Sequence, residues 1–469
     1  MKKIITVGLL SLFFSILSTA ALGAMIIEEV AALEDAVAHN DKTALEILTK
    51  AAQNNEGLAQ VALGGLYYRG TGVTQSYTEA AIWIKKAAEL NLDLAQYNLA
   101  NLYINGLGVP QDYKLAFVWM QKAASQAHLR AQTYLGLMYV TGQGVVKDSN
   151  QAFFWLNKAS EQGDAIAQVA LADMYDFGNG VTQNHTTALS WLSQAAEKND
   201  SNAQYKLGEH YEGGSGTSVD YVEAAQWYRK AAEQDILDAQ FRLGVLYDNG
   251  QGVTEDKQQA FTWYKAAADK GLADAQFMVG YFYYDGTGKI IQDQVEAFNW
   301  FSKAANQGHA YAQGTLGDIY SEGRGVVQNY IVAREWYQKA ADQGIAGALN
   351  NIASLYENGF GVPKDYKKAA NLYAKAAAQK EAKALNNLGY LYEKGLGVPK
   401  LKVLAFALYS MSSDLNDASN SASISNRLNL EEKLKPQELE GAQKLMAELQ
   451  LPDNFTKALE TYVKKAKAK

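Results

Sequence analysis

Cysteine is absent from all 469 residues, which excludes a disulfide framework, thiolate metal sites and a cysteine nucleophile. Proline and histidine are scarce, with five of each. Positive charge is also short: 43 Lys and Arg stand against 50 Asp and Glu. The resulting net charge of −7 argues against a nucleic-acid binder held by phosphate contacts. Beyond the N-terminus no stretch approaches the ~20 apolar residues of a membrane span. Disorder is excluded by a hydrophobic fraction of 48%. Against these shortages stand 39 Gly and 29 Tyr, an imbalance that points to something repeated.

Residues 1–24 read as a secretory signal. Lys2 and Lys3 form the positive start, Ile4 to Leu17 the apolar stretch, and Ser18 to Ala24 a small-residue end. Ala21 and Gly23 suit a cleavage site before Ala24. An exported chain is therefore expected, periplasmic or secreted, with no integral membrane segment after cleavage.

The pattern A-Q-x-x-L-G-x-x-Y-x-x-G-x-G-V starts at Ala59, Ala95, Ala131, Ala167, Ala203, Ala239, Ala275, Ala312, Ala348 and Ala384. The spacing is 36 residues throughout, except 37 after Ala275. Position 1 below is this alanine. Positions 1, 5, 8 and 9 (Ala95, Leu99, Leu102 and Tyr103 in the second unit) make one apolar stripe of a first helix. The glycines at positions 12 and 14 end it, supplying positive φ for a tight turn. A second helix then starts behind Ser76, Asp112, Asp148, Asn184, Asp220, Asp256, Asp293, Asn329 or Asp365, each a good N-cap. Only the tenth unit departs, with Leu401. These acids are assigned to capping and withdrawn from any catalytic list. All eight tryptophans occupy one second-helix position, from Trp83 to Trp336, and are assigned to packing between helices.

The quoted A-x-x-x-L-G-x-x-Y-x-x-G-x-G-V element and the following W-x-x-K-A-A resemble the Sel1-like repeat, a relative of the tetratricopeptide repeat. The resemblance implies an all-α fold: a right-handed α-solenoid of about ten 36-residue helix-turn-helix repeats with helical caps, its first helices lining a concave groove. It further implies an adaptor that holds other proteins, linked in bacterial relatives to the cell envelope or host contact. Expected divisions are a signal at 1–24, an N-terminal helical cap and half repeat at 25–58, ten repeats at 59–419 and a C-terminal helical cap at 420–469. Past residue 412 the pattern decays into a Ser/Asn-rich stretch, with two polar helices expected after Pro436 and after Pro452-Asp453.

No catalytic constellation emerges. The histidines His39, His128, His185, His210 and His309 read as different repeat positions, with no two at helical i, i+3 or i, i+4 spacing. The G-x-G pairs close a helix instead of opening one, so they are no phosphate loop. Neither cofactor nor metal is expected.

Positions 3, 7 and 10 point away from the apolar stripe, onto the face that the resemblance assigns to the groove. There Tyr97, Tyr205, Phe241 and Phe277 form an aromatic track. Asp173 with Asp176, Glu209 with Glu212, and then Asp248 stand beside it, followed by Tyr281 and Tyr284. This combination suits a partner peptide with basic and apolar side chains; the alternative is that a neighbouring helix roofs position 3, making the aromatics ordinary core and the acids a solvated face. Asn350 with Asn351, and Asn386 with Asn387 one repeat later, form a second patch. It can grip an extended backbone or bond helix to helix. The expected function is an exported, non-enzymatic scaffold, monomeric, for protein or peptide partners and not nucleic acid. The alternatives are a peptidoglycan-active envelope enzyme and a self-assembling structural array. Intact-mass analysis of the exported protein is expected to show a chain beginning at Ala24; a product that keeps Met1 contradicts the signal.

Overall fold

The computed structural model describes residues 25–415 and 421–468; the signal segment lies outside them. Among the described residues there are 25 α-helices and no strand. They fall into two compact units, residues 1–220 and 221–469, which divide within the fifth repeat. The first unit opens on Ile27–Ala38 and Lys42–Gln53. Four helix pairs follow, from Gly57–Arg69 with Tyr77–Glu89 to Ala165–Phe177 with His185–Glu197, and then Ser201–Gly213. The second unit opens on Tyr221–Glu233 and carries five pairs, from Leu237–Asn249 with Lys257–Asp269 to Ala382–Lys394 with Lys402–Asp414. It closes on Ser421–Glu431, Pro436–Gln450 and Phe455–Lys467, three helices where two were expected. The extra one starts inside the Ser/Asn-rich stretch. Its low intrinsic propensity is overridden because Ser423 and Leu430 bury themselves in the last unit's core.

Within each unit the two helices of a repeat meet through a size match. The residue after the tryptophan position, which Leu372 and Leu408 fill in the last two repeats, is buried: Ile84, Met120, Leu156 and Leu192 in the first unit; Tyr228, Tyr264, Phe301, Tyr337, Tyr373 and Tyr409 in the second. Position 6 opposite it is Gly or Ala. A Cβ on Gly136 would lie 2.6 Å from Leu156, and one on Gly244 2.7 Å from the Tyr264 ring.

The turn glycines do two different jobs. Gly106 takes φ 66° and caps the first helix, its N–H bonding to the Leu102 carbonyl. Gly108 also has positive φ, and a Cβ there would run into the carbonyl of Tyr77 in the preceding repeat. In the first repeat Gly72 meets Val37, and from the second on each turn thereby rests on the start of the previous second helix. That start is capped as expected at Ser76, Asp112, Asp148, Asn184, Asp256, Asp293, Asn329 and Asp365, whose side chains accept backbone N–H bonds. Leu401 makes no such bond.

The tryptophans are only partly core. Most are half-buried, and in six repeats the W-x-x-K lysine lies over the indole: Lys86 at 4.1 Å, Lys122 at 4.0 Å, Lys158 at 5.3 Å, Lys230 at 3.6 Å, Lys303 at 3.6 Å and Lys339 at 3.7 Å. Buried glutamines supply the remaining stitch. The position-2 amide donates to the last turn of the preceding second helix, as Gln132 does to the Ala124 carbonyl and Gln313 to Ala305. Its own oxygen then accepts from the glutamine that caps the repeat's second helix: Gln126 to Gln96 at 2.8 Å, Gln162 to Gln132 at 2.7 Å, Gln343 to Gln313 at 2.8 Å.

Three of these buried acceptors, on Gln60, Gln168 and Gln240, have no partner. In those repeats the capping residue is Leu90, Lys198 or Lys270 instead of glutamine. An unpaired buried acceptor costs about 1–3 kcal/mol. Leu90→Gln is therefore expected to raise stability by about 1 kcal/mol in urea unfolding, and Gln162→Leu to lower it by at least as much. A neutral result for both variants would show that the stitch carries no net energy.

Candidate functional site

The aromatic track proves to be largely roofed over. Tyr97 is 4% exposed and stacks on His128 with centroids 4.7 Å apart, and burial pushes its hydroxyl up to about 12. Phe277 stacks in the same way on His309 at 4.7 Å and meets Phe301 at 5.5 Å. Phe241 packs on Tyr264 at 5.5 Å. Half-buried Tyr205 donates its hydroxyl to Glu209 at 2.8 Å. Position 3 is thus packed within the repeat and, at Tyr97 and Phe277, against the start of the next one, so these aromatics are core contacts and not the exposed track expected. Tyr284 is half-buried too, with Arg324 over its ring. Tyr281, 46% exposed, is the one candidate aromatic that presents its ring to solvent.

His128 and His309 are equivalent, which corrects the reading of five unrelated histidine positions. Each stands three residues before the repeat alanine, and its Nδ1 accepts the N–H of Ala131 or Ala312. The extra residue in the seventh repeat had hidden the match. In the fourth and fifth repeats Asp164 and Asp200 make the same bond.

The position-10 acids in the second unit have a structural partner as well. The buried tyrosine 16 residues later donates its hydroxyl to them: Tyr264 to Asp248 at 3.5 Å, Tyr373 to Glu357 at 2.7 Å, Tyr409 to Glu393 at 2.9 Å. Tyr337 reaches Asp318 instead, at 2.7 Å. Burial raises all four hydroxyls far above the ordinary tyrosine value. Asp248 is paired further with Lys257 at 2.9 Å. The asparagine patch resolves the same way: Asn351 donates to Asp318, Asn387 to Asn350 and Asn350 to Asn351, while Asn386 accepts from Asn426. Helix-to-helix bonding therefore accounts for the ladder. The signal that marks these acids as structural, a tyrosine 16 residues later just after the position held by Trp263, Leu372 or Leu408, is present in the sequence.

Asp176 breaks that rule, because the residue 16 positions on is Leu192, which offers no hydroxyl. Its carboxylate instead takes His185 Nδ1 on one oxygen and His210 Nε2 on the other, both at 2.9 Å. His210 Nδ1 lies 2.9 Å from the Ser215 carbonyl. Asp173 pairs with Lys206 at 2.7 Å. With Glu209 and Phe177 these side chains line a cavity of about 320 Å³ in the first unit. Phe177, 71% exposed, was not among the sequence candidates because position 11 carries no repeating apolar pattern. Glu212 is half-buried beside this group in sequence but does not line the cavity. Apart from the bonded asparagines, the candidate residues come together around a cavity at Asp173, Asp176 and Glu209. Among the described residues no group of three or more His, Asp or Glu is placed to hold a metal, and no helix is long and apolar enough to cross a membrane.

Paired antiparallel helices, glycine-closed turns and one stacked contact per repeat define a tetratricopeptide-like repeat protein of the α-solenoid class. The chain belongs to the Sel1 repeat family, whose profile matches residues 57–92, 93–128, 129–164, 165–200, 201–236, 237–272, 273–309, 310–345, 346–381 and 382–417. It is similar to the crystal structure of a protective antigen present in uropathogenic Escherichia coli strains, which displays an SLR fold. Identity to that antigen is 33%, TM-score 0.60, with 90% of this chain and 97% of that one covered. A Sel1 repeat protein from Oxalobacter formigenes is 30% identical at TM-score 0.53, covering 73% of this chain and 98% of that one. No curated protein matches the chain.

Burial holds the His128 and His309 rings below the ordinary histidine value. The folded state therefore binds fewer protons than the unfolded one. Stability is full above the unfolded value of about 6.5 and falls as pH drops below it. Protonation also removes the Nδ1 acceptor, worth roughly 1 kcal/mol per cap. Replacing both by Asp, as in the fourth and fifth repeats, is expected to flatten the loss of stability between pH 7 and pH 5, followed by thermal unfolding. An unchanged slope would place the pH response elsewhere.

Proposed function

We propose that this protein is an exported, non-enzymatic scaffold that holds protein or peptide partners on its first-helix face. The observation that carries the reading is a contrast. Core, cap and turn positions are used for packing in repeat after repeat, whereas the outer first-helix positions vary widely between repeats, as position 7 does from Gly65 through Asp173 and Glu209 to Tyr281. In the first unit they gather charged groups and exposed Phe177 around one cavity. Acids next to an exposed aromatic ring favour a partner segment with basic and apolar side chains. Sel1 and tetratricopeptide-like repeats are protein-interaction folds, which supports the class of function. The likeness to a protective antigen supports a chain that meets host factors outside the cytoplasm.

Asp173 and Asp176 are tied into internal pairs, so charge reversal there would disturb the unit itself. Phe177→Ser with Glu209→Lys disturbs less, since both side chains are exposed and the bond lost is the surface one from the Tyr205 hydroxyl to Glu209. Affinity capture from envelope and host-cell lysates with the mature chain is expected to retain a defined partner. The double variant, with unchanged circular dichroism, is expected to lose it by tenfold or more. Retention unaffected by the variant would remove the first-unit cavity as the docking site.

A further inference from the structure

Six of the eight tryptophans carry their own lysine over the indole, three residues on in the same helix. In the fourth repeat that place is taken by Gln194, whose oxygen accepts from Gln168. In the sixth it is Ala266, too short to cover anything. The neighbouring Lys265 is engaged elsewhere, paired with Asp269 and 5.0 Å over the ring of Trp300. Among the described residues no lysine or arginine lies over Trp263. Its half-buried ring forms one wall of a cavity of about 550 Å³ in the second unit, together with Tyr247, Glu255, Asp256, Gln259 and Arg229. The Arg229 guanidinium is bonded to the Tyr247 hydroxyl at 2.6 Å. Of the two carboxylates, Glu255 is paired with Lys257 at 3.2 Å and Asp256 caps the second helix by accepting from the Gln258 and Gln259 N–H groups. A ring that in six other copies attracts an ammonium is here open, beside acids and next to space.

We propose that the Trp263 cavity is a docking site for the lysine side chain of a partner polypeptide, which takes the place that the missing i+3 lysine holds in the other repeats. The proposal rests on the scaffold reading and locates a second contact point of the same kind of partner. The ammonium sits over the indole face, where the ring quadrupole attracts a cation most strongly for tryptophan. The lysine methylenes bury against the rings of Trp263 and Tyr247.

The test uses the full mature chain labelled with 5-fluorotryptophan, the Trp263 signal being assigned by its loss in Trp263→Phe. The probe is acetyl-Gly-Lys-Gly-amide at low salt, with the norleucine tripeptide as the uncharged control. Lysine peptide is expected to shift the Trp263 signal in a saturable way, and the norleucine peptide at least tenfold more weakly. Ala266→Lys restores the arrangement of six other repeats, so it is expected to fold normally. It should move the Trp263 signal without any peptide and weaken the peptide response at least tenfold. No saturable shift in the wild type, or an equal response to norleucine or in Ala266→Lys, would overturn the site. Such a failure leaves the capture experiment on Phe177 and Glu209 untouched, so the two ideas fail separately.

Discussion

The two helices of each repeat approach closely because position 6 is never larger than alanine, and this small-against-large contact sets what every other position must do. Gly136 under Leu156 and Gly244 under Tyr264 leave no room for a Cβ without movement. With the pair drawn together, the second turn glycine can rest on the preceding repeat, as Gly108 does on Tyr77. Position 3 then packs within the repeat and against the next one, and does not face an open groove. The alanines that flank the contact are also consequences: larger side chains would hold the helices apart, and an interior packed this tightly yields little.

The choice of large residue then decides the chemistry of the opposite face. An aliphatic side chain such as Met120 or Leu156 asks nothing of the first helix. A tyrosine brings a hydroxyl into the core, and a buried hydroxyl without a partner is costly. The acid sixteen residues earlier provides that partner at Asp248, Glu357 and Glu393. Most position-10 acids in the second unit are therefore answers to a packing choice. Asp176 has no such tyrosine, and it is the acid that gathers two histidines beside a cavity. The same logic applies to the tryptophans, where a lysine answers an indole in six repeats and Ala266 leaves one unanswered.

What was legible in the sequence was local. Helix pairs, turn glycines and the caps from Ser76 to Asp365 each depend on residues within a few positions, so spacing alone exposes them. The acid–tyrosine bonds were missed because their partners lie 16 residues apart on different helices, and a helical wheel treats each helix alone. It placed Asp248 and Tyr97 on an outer face correctly by angle, yet angle says nothing about which neighbour covers that face. The asparagines show the limit differently: Asn350 and Asn387 bond across repeats, an outcome that donor and acceptor counting allowed but could not choose. The histidine caps were hidden by arithmetic, since one inserted residue in the seventh repeat displaced His309 from His128.

Repetition itself offers a way past this limit. Each copy solves the same packing problem, so a residue that departs from its copies while its surroundings stay unchanged has lost the role the others keep. Leu401 lost a cap and marks the end of the array; Leu90 lost a stitch and leaves Gln60 with an orphaned oxygen. In these two the departure is a defect or a boundary. Ala266 differs from them because it leaves an aromatic ring facing open space, whereas His185 and His210 take up the carboxylate of Asp176. A departure that frees a charged or π-bearing surface, with no internal group moving in to cover it, is what separates a binding position from a merely imperfect repeat.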